Sequence, residues 1–466
     1  MSNTQNSTKG FELESVVISS SKMIEERGIE IVGSVTDIQI FENINTPFCT
    51  GEIALIDQFR LVERLNIEGC EYLTITINQT EGKIKNSVVK RFVIDRLIRS
   101  RKANEKADLY VFHFTDDIDY LSNLQNVNKC YTGSPKKIIK RIASEFLNIP
   151  EDNVRSGFIE EFDTFQQKIK VIVPNLNPIE AMIWIKNRAT SIGGTPYFLF
   201  SVFNQNKVKE NELFFVDLKT MLEQKPFNAS KPYLVGYTQS FPSYNDKIQF
   251  LPVLDYDEKN NDNLYKSIHQ GIVGAQYRFY DTSKATADEM TFDVHLDAFN
   301  QLEDTSRDEI IDRSQNVDIE DNNGAPRKIQ NYISKNICQI SQSGAYDDGT
   351  GRYRSYDEED EGSSHKKKII GRALRIFGTN SNTISMKVDG RGYMLGDYVS
   401  IGTKIRILFI ANRPSSDGQV KIDKKKSGDY LICASRHVFS HENYYINFEC
   451  AKIKQFKDDS ILKDFG

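Results

Sequence analysis

Hydrophobic and polar residues alternate in two separate parts of the chain, near its beginning and near its end. The clearest alternation lies at 72–77 (YLTITI), and it predicts a strand with one buried face. Similar runs extend over residues 29–115, where we also predict a short helix at 58–65 and a charged loop at 99–106. Residues 369–453 carry short β patterns separated by glycines, so we predict that this part is all β as well.

The middle of the chain has a helical period instead. Ser134-Pro135 is a typical helix start, because the hydroxyl can cap the helix and proline fits its first position. Apolar residues then recur at helical spacing up to Leu147. A second helix is predicted from Asn177-Pro178 to Ala189, with strands around both helices. This block therefore has a mixed α+β pattern.

Taken together, the patterns predict an α+β, mainly β chain, in which two antiparallel β domains flank an inserted α+β region. The predicted boundaries are a disordered N-terminus at 1–12, a first β domain at 13–128, an inserted domain at 129–235, a mixed region at 236–345, a polar loop at 346–368, a second β domain at 369–453 and a charged tail at 454–466. Within the mixed region, 268–280 fits either a helix or a strand, and 329–338 fits a strand. The acidic stretches at 303–323 and 346–362 are predicted to be solvated loops.

The two β domains share a repeated pattern, and repeats reveal architecture. Residues 69–75 (GCEYLTI) resemble residues 395–401 (LGDYVSI), and a predicted hairpin follows each. The hairpin segments at 92–96 and 110–114 resemble those at 430–434 and 444–448. The positions that carry this repeat are Gly69, Glu71, Tyr72, Ile94, Tyr110, Gly396, Asp397, Tyr398, Ile432 and Tyr444. Their order at both ends of the chain predicts a duplicated β unit.

Composition and charge narrow the function classes. The 466 residues are enough for about three domains, and 28 phenylalanines and 21 tyrosines can build their cores. The net charge of −5 does not favour a sequence-independent nucleic-acid binder, which usually carries a basic surplus. No segment approaches the ~20 apolar residues of a membrane-spanning helix. The polar N-terminus gives no secretory signal, so we expect assembly in a cytoplasm.

No common catalytic or phosphate-binding motif occurs, and we predict no catalytic residue, no cofactor and no metal site. Cys433, His437, His441 and Cys450 have a composition that could bind zinc. However, Cys433 and His437 lie about 13 Å apart along one predicted strand, which is too far for one ion without a sharp bend. The predicted role of Cys433 and Cys450 is core packing, with His437 packed at the strand end.

Several segments resemble the baseplate central hub protein of T-even-type contractile-tailed bacteriophages, a family with relatives in contractile injection systems. These segments are 37–57 (DIQIFENINTPFCTGEIALID), 131–147, 174–189 (PNLNPIEAMIWIKNRA), 396–399 and 427–437. They are spread from residue 37 to residue 437, with gaps, and they are strand and turn patterns rather than a catalytic signature. The resemblance implies a tail-tube-like barrel in each β domain.

The resemblance also implies a structural virion protein in the tail baseplate. Three copies with two barrels each would form a ring of six, which connects the hexameric tail tube to the trimeric central spike and lines the channel for genome ejection. The implied partners are further copies of the chain, the tail tube protein and the central spike protein, with the tape measure and baseplate wedge proteins as additional candidates. DNA would pass through the lumen without specific binding.

Two alternative functions remain open at this point. One is a cell-wall hydrolase of the tail tip that carries hub-like barrels, which would need paired acids in a cleft, most plausibly within 236–345. The other is a different tail or baseplate component with tube-like domains. Lysis of peptidoglycan would favour the first, and a copy number other than three would favour the second.

Overall fold

The fold is described from a computed structural model. It describes residues 11–19, 28–65, 67–79, 87–157, 169–189, 191, 194–203, 211–236, 250–260, 264–271, 274–281, 286–292, 318–320, 323–329, 332–333, 335–341, 363–379, 382–390, 401–411, 422–440 and 443–455. The predicted repeat positions Gly396, Asp397 and Tyr398 lie outside these residues. So do residues 1–10 and the acidic stretch at 346–362, and most of the stretch at 303–323.

The first β unit is an antiparallel sheet with one short helix. Its elements are β1 (Phe11–Ser19), β2 (Ile29–Glu30), β3 (Val35–Asn43), β4 (Thr50–Asp57), α1 (Leu61–Leu65), β5 (Tyr72–Gln79), β6 (Ser87–Asn104) and β7 (Ala107–Asp116). The strands lie in the order β1-β5-β6-β7-β4-β3, with β2 beside β1. The alternation predicted in β5 is confirmed, because Leu73, Ile75 and Ile77 are buried and the threonines between them are half-exposed.

The inserted region combines five short strands with four helices. Its elements are α2 (Asp117–Asn123), β8 (Cys130–Gly133), α3 (Pro135–Leu147), β9 (Val154–Arg155), β10 (Ile169–Ile172), α4 (Pro178–Lys186), β11 (Tyr197–Phe200), β12 (Leu213–Asp217) and α5 (Leu218–Glu223). Ser134 caps α3 as predicted, and Asn148 in left-handed conformation (φ 56°) ends it. Asn177 begins α4 with a capping box that includes Glu180. A second core holds α2 to α4 and β8 to β12 together, whereas α5 and the other face of β11 and β12 pack into the core of the β units.

The second β unit is a closed six-stranded barrel. Its strands are β13 (Tyr233–Val235), β14 (Leu251–Asn260), β20 (Asn382–Asp389), β21 (Lys404–Phe409), β22 (Gly428–Ser440) and β23 (Tyr444–Gln455). They lie in the order β13-β21-β22-β23-β20-β14, and the pairing of β13 with β14 closes the barrel. Between β14 and β20 the chain forms α6 (Leu264–His269), β15 (Ala275–Asp281), β16 (Thr286–Phe292), β17 (Asp318–Glu320), β18 (Pro326–Lys328), β19 (Lys335–Ser341) and α7 (Ser363–Thr379).

The two units have the same strand topology. Counted along the chain within each unit, both have the spatial order 1-4-5-6-3-2. The backbone details also recur. The Cys70 N–H donates to Ile94 O (2.7 Å) and the Ile94 N–H donates to Glu71 O (2.8 Å), while the Gly402 N–H donates to Ile432 O (2.8 Å) and the Ile432 N–H donates to Thr403 O (3.0 Å).

Irregularities in pairing recur at corresponding places. A β-bulge follows Ile94 in β6 and Ile432 in β22, and another follows Val35 in β3 and Val253 in β14. Bulges are local features that a common sheet plan does not require. Their repetition therefore supports a duplicated unit, independently of strand composition.

The mainly β, α+β fold class is confirmed, but several local predictions are wrong. The segment at 99–106 is not a charged loop, because β6 and β7 continue through it to a tight turn. Residues 363–379 form α7, so 363–368 are not part of a polar loop and 369–379 are not β, since Ile369, Ile370, Ala373 and Leu374 are buried on one helical face. Residues 11 and 12 lie in β1, not in a disordered terminus.

The segment at 268–280 contains both predicted alternatives. Helix α6 ends at His269, and strand β15 starts at Ala275. Gly271 (φ 70°) and Gly274 (φ 62°) have the left-handed conformation that favours glycine, and they separate the two elements. The domain boundaries stay predictions. The barrel strand β13 nevertheless comes from the last residues of the predicted inserted domain, and β14 comes from the first part of the predicted mixed region. None of the described helices is long and apolar enough to cross a membrane.

Candidate functional site at the junction of the two β units

The two β units are joined by direct strand pairing. β3 of the first unit pairs antiparallel with β22 of the second, from Asn43 opposite Ala434 to Asp37 opposite Ser440. Outside this ladder, the Ile44 N–H donates to Cys433 O (3.0 Å). We call this pairing the junction. It makes one continuous sheet out of the two units.

A buried carboxylate lies at the centre of the junction. Glu42 on β3 is 2% exposed, and its Oε2 lies 3.0 Å from His437 Nε2 on β22. The Ser435 hydroxyl donates to the same oxygen, and the Phe203 backbone N–H donates to Oε1. Glu42 thus connects the first unit, the second unit and the inserted region. Removing it would leave buried donors without an acceptor.

The second ring nitrogen of His437 is held by an aromatic residue. The Tyr444 hydroxyl lies 2.9 Å from His437 Nδ1, and burial raises the pKa of Tyr444 well above its usual value, with the Glu42 carboxylate acting in the same direction. The phenol therefore keeps its proton and can donate it to Nδ1, so that Nε2–H donates to Glu42. Phe439 stacks on Tyr444 at 4.3 Å between ring centroids.

A second buried charge pair lies on the first unit. Lys90 Nζ is 2.7 Å from Asp116 Oδ2, and both side chains are almost completely buried. Burial alone would lower the pKa of Lys90, but the Asp116 carboxylate raises it above its ordinary value, so the lysine stays charged. Nζ also lies 3.8 Å from Cys49 Sγ, which contacts the Ser201 hydroxyl of the inserted region.

The surroundings of three cysteines disfavour the thiolate, which is the nucleophilic form. Burial raises the pKa of Cys49 and of Cys433 to about 12, and that of Cys450 well above its usual value. His437 directs its two ring nitrogens to Glu42 and Tyr444. His441 lies outside the described residues. Among the described residues, no group of three or more His, Cys, Asp or Glu side chains could hold a metal ion.

Of the predicted repeat positions that the structure describes, Tyr444 alone contributes to the junction network. Glu71 instead stabilises its own turn, where its carboxylate accepts from the Gly69 N–H (2.9 Å) and the Glu68 N–H (3.2 Å). The remaining described positions lie in or next to strands of the two hairpins, namely Tyr72 in β5, Ile94 in β6, Tyr110 in β7 and Ile432 in β22.

The sequence analysis did not single out Glu42, although a signal for it exists. Ile38, Ile40 and Ile44 are fully buried, and Glu42 occupies the same face of the alternating pattern. A carboxylate at an apolar position of a strand needs a partner, because burial of an isolated charge is costly. The partner comes from a strand almost four hundred residues later, which no local pattern predicts.

Comparison with solved structures finds the same overall fold. The chain aligns with a tail protein from Neisseria meningitidis MC58 at a TM-score of 0.50 and 11% identity, over 97% of this chain and 98% of that one. The 43 kDa tail protein of prophage MuSo2 from Shewanella oneidensis gives 0.49 and 9% identity, over 94% and 98%. An Escherichia coli type VI secretion protein, c3393, described as structurally similar to the T4 tail proteins gp27 and gp5, gives 0.41 and 7%, over 91% and 76%.

Comparison at the level of sequence gives no match. No family model matches the chain. No curated protein matches it either. The chain therefore has the fold of a tail protein, established from structure along nearly its whole length.

Proposed function

We propose that this chain is a structural component of a phage-type tail and, more specifically, the trimeric central hub of a baseplate. The single observation that carries the proposal is the duplicated six-stranded unit, joined edge to edge within one chain. The tail-protein fold supports the same function. In this proposal the chain is part of the virion tail and is assembled in the host cytoplasm.

The duplication gives a physical reason for a hub. A ring of three chains with two similar units each has six similar faces toward a hexameric tail tube, and it keeps threefold symmetry toward a trimeric spike. The proposed partners are therefore copies of the chain, the tail tube protein and the central spike protein, with the tape measure and wedge proteins as further contacts. The net charge of −5 fits a channel that lets DNA pass without holding it.

Light scattering coupled to size exclusion, over a concentration series of the full chain, tests this proposal. The hub function predicts a mass of three chains. A monomer at every concentration, and again in the presence of the trimeric spike, would contradict it. Another closed oligomer would favour a different tail component with tube-like domains.

We further propose that the chain has no catalytic activity. An open pocket beside the junction is lined by both Glu42 and Glu449. The Glu42 carboxylate, however, is held by His437, the Ser435 hydroxyl and the Phe203 N–H, so we assign it to packing rather than to acid–base chemistry. A turbidity assay on purified peptidoglycan tests this point. Unchanged turbidity is expected, and clearing of the suspension would favour a tail-tip hydrolase.

A further inference from the structure

Each β unit has a long strand edge that lacks a partner strand among the described residues. In the first unit, β6 pairs with β5 only from Ser87 to Val93, and its outer edge at 95–104 has no described partner strand. In the second unit, β14 pairs with β13 only at Leu251 and Pro252, and its edge at 253–260 is similarly open. Long open edges are templates for pairing with another strand.

The repeat identifies which strands these edges correspond to. The bulges that follow Ile94 and Ile432 make β6 the counterpart of β22, and those that follow Val35 and Val253 make β14 the counterpart of β3. The strands β22 and β3 are the two that pair with each other in the junction. The two open edges therefore belong to the counterparts of the two junction strands, and within one chain these counterparts do not pair with each other.

Side chains on the open edges are more exposed than side chains on the corresponding strands of the junction. Ile38 and Ile40 on β3 are fully buried in the junction, whereas Tyr256 on β14, the counterpart of Ile38, is 44% exposed. On β6, Leu97 and Ile98 are 48% and 43% exposed, and on β14 Leu254 is 40% exposed. Tyr256 and Leu97 are therefore exposed apolar side chains at positions whose counterparts, Ile38 and Ser435, are buried.

The two edges carry opposite charges. A further bulge after Leu97 in β6 is absent from β22, so the transferred register places the segment 99–102 of β6 opposite the segment 256–259 of β14, with Arg101 facing Asp257. The basic residues of the β6 edge are Arg96, Arg99, Arg101 and Lys102, beside Asp95, and the acidic residues of the β14 edge are Asp255, Asp257 and Glu258, beside Lys259. Charged edges can also serve only to prevent aggregation, but in that case the two edges need not have opposite signs.

We propose that the β6 edge of one copy pairs antiparallel with the β14 edge of the next copy, which repeats the junction between chains. This inference rests on the self-association in the proposed function and names its surface. The contact is head to tail, since each unit uses its second strand on one side and its fifth strand on the other. Head-to-tail contacts of this kind close into rings when the rotation per copy allows it.

Charge reversal on the full chain tests the pairing. The variants are R101E/K102E on β6 and D255K/D257K on β14, and the two are also combined. Glu258 is left unchanged because it forms an ion pair of 2.8 Å with Lys426 within its own barrel. K137E/K140E on α3 is the matched control for the β6 variant, with the same change in net charge on another surface. Circular dichroism confirms that each variant is folded.

Sedimentation over a concentration series gives the readout. Each edge variant should raise the apparent dissociation constant of the oligomer about tenfold or more, since like charges across an interface oppose association. The combined variant should recover most of the loss, and the control should match the native chain. An oligomer of unchanged mass in both edge variants would overturn the edge pairing and leave the proposed function intact. A native chain that stays monomeric throughout would overturn the edge pairing, and the proposed function would then depend on the result with the spike.

Discussion

At the scale of single residues, the charged groups in the interior account for how the parts of the chain are held together. Glu42 accepts hydrogen bonds from the inserted region and from the second β unit. Lys90 and Asp116 form a buried pair that reaches the inserted region through Cys49 and Ser201. Such groups are stabilising only as complete sets, because one unpaired member in the interior is costly.

Substitution of Glu42 is therefore expected to destabilise the whole molecule. Glu42→Ala leaves the Phe203 N–H, the Ser435 hydroxyl and His437 Nε2 without their common acceptor. We expect a loss of about 3 kcal/mol in the free energy of unfolding, measured by urea denaturation. Glu12→Ala, at an exposed position of β1, is the control and should change stability by less than about 0.5 kcal/mol. Equal effects of the two substitutions would contradict the role assigned to Glu42.

A second residue, Lys186, gives a prediction of how the stability of the chain depends on pH. Burial, together with the positive charge of Arg375 on α7, lowers the pKa of Lys186 to about 8. The unfolded chain keeps the ordinary value of about 10.4, so between these values the unfolded state binds more protons. The charged form of Lys186 therefore destabilises the folded chain fully below about pH 8. This destabilisation decreases as the pH increases from about 8 to about 10.4.

Lys186→Met removes this penalty. The variant should be more stable than the native chain near about pH 7, by on the order of 1–3 kcal/mol, and this advantage should shrink near about pH 10.5. Urea denaturation of both proteins at the two pH values measures it. Lys137→Met, at an exposed position of α3, is the control. A stability difference between native and variant that does not change with pH would show that Lys186 is not the titrating group.

At the scale of elements, the helices of the inserted region depend on their caps. The Asn177 side chain accepts from the Glu180 N–H (2.8 Å) and from the Ser122 hydroxyl (3.1 Å). Asn177→Ala should cost about 1–2 kcal/mol of stability, measured by thermal or urea unfolding. Asn177→Ser keeps a capping oxygen and should lose clearly less. If serine and alanine had the same effect, the cap would not be the cause.

The elements also show what the sequence could and could not predict. Strands with one buried face, such as β5, and helices with a clear cap, such as α3 and α4, follow from local pattern. The far part of β6 does not, because residues 95–104 are exposed on both faces and lack any alternation. Helix α7 was missed because a polar run precedes its apolar face and Gly371 interrupts it. That glycine is explained only by packing, since a Cβ there would lie 3.1 Å from the Gly194 carbonyl oxygen.

The candidate site was predictable only in part, for a related reason. The sequence pattern indicated a duplicated unit and singled out Tyr444. It did not indicate that β3 and β22 pair, because pairing between distant strands depends on tertiary structure. Gly396, Asp397 and Tyr398 lie outside the described residues, so their place in the repeat stays a prediction.

At the scale of the whole molecule, the repeat, the junction and the two open edges together describe one assembly. Within a chain, the second strand of one unit pairs with the fifth strand of the other. Between chains, the same pairing is available to the edges of β14 and β6. The assembly that uses all of these edges in equivalent ways is a ring, which agrees with the proposed hub.

Electron cryomicroscopy of the purified oligomer tests this account most directly. The account predicts a ring of threefold symmetry, made of six similar β units around an open channel, with continuous strand pairing from each unit to the next. A particle whose β units are separated by gaps, whose centre is closed, or whose number of units is not six would contradict the central claim.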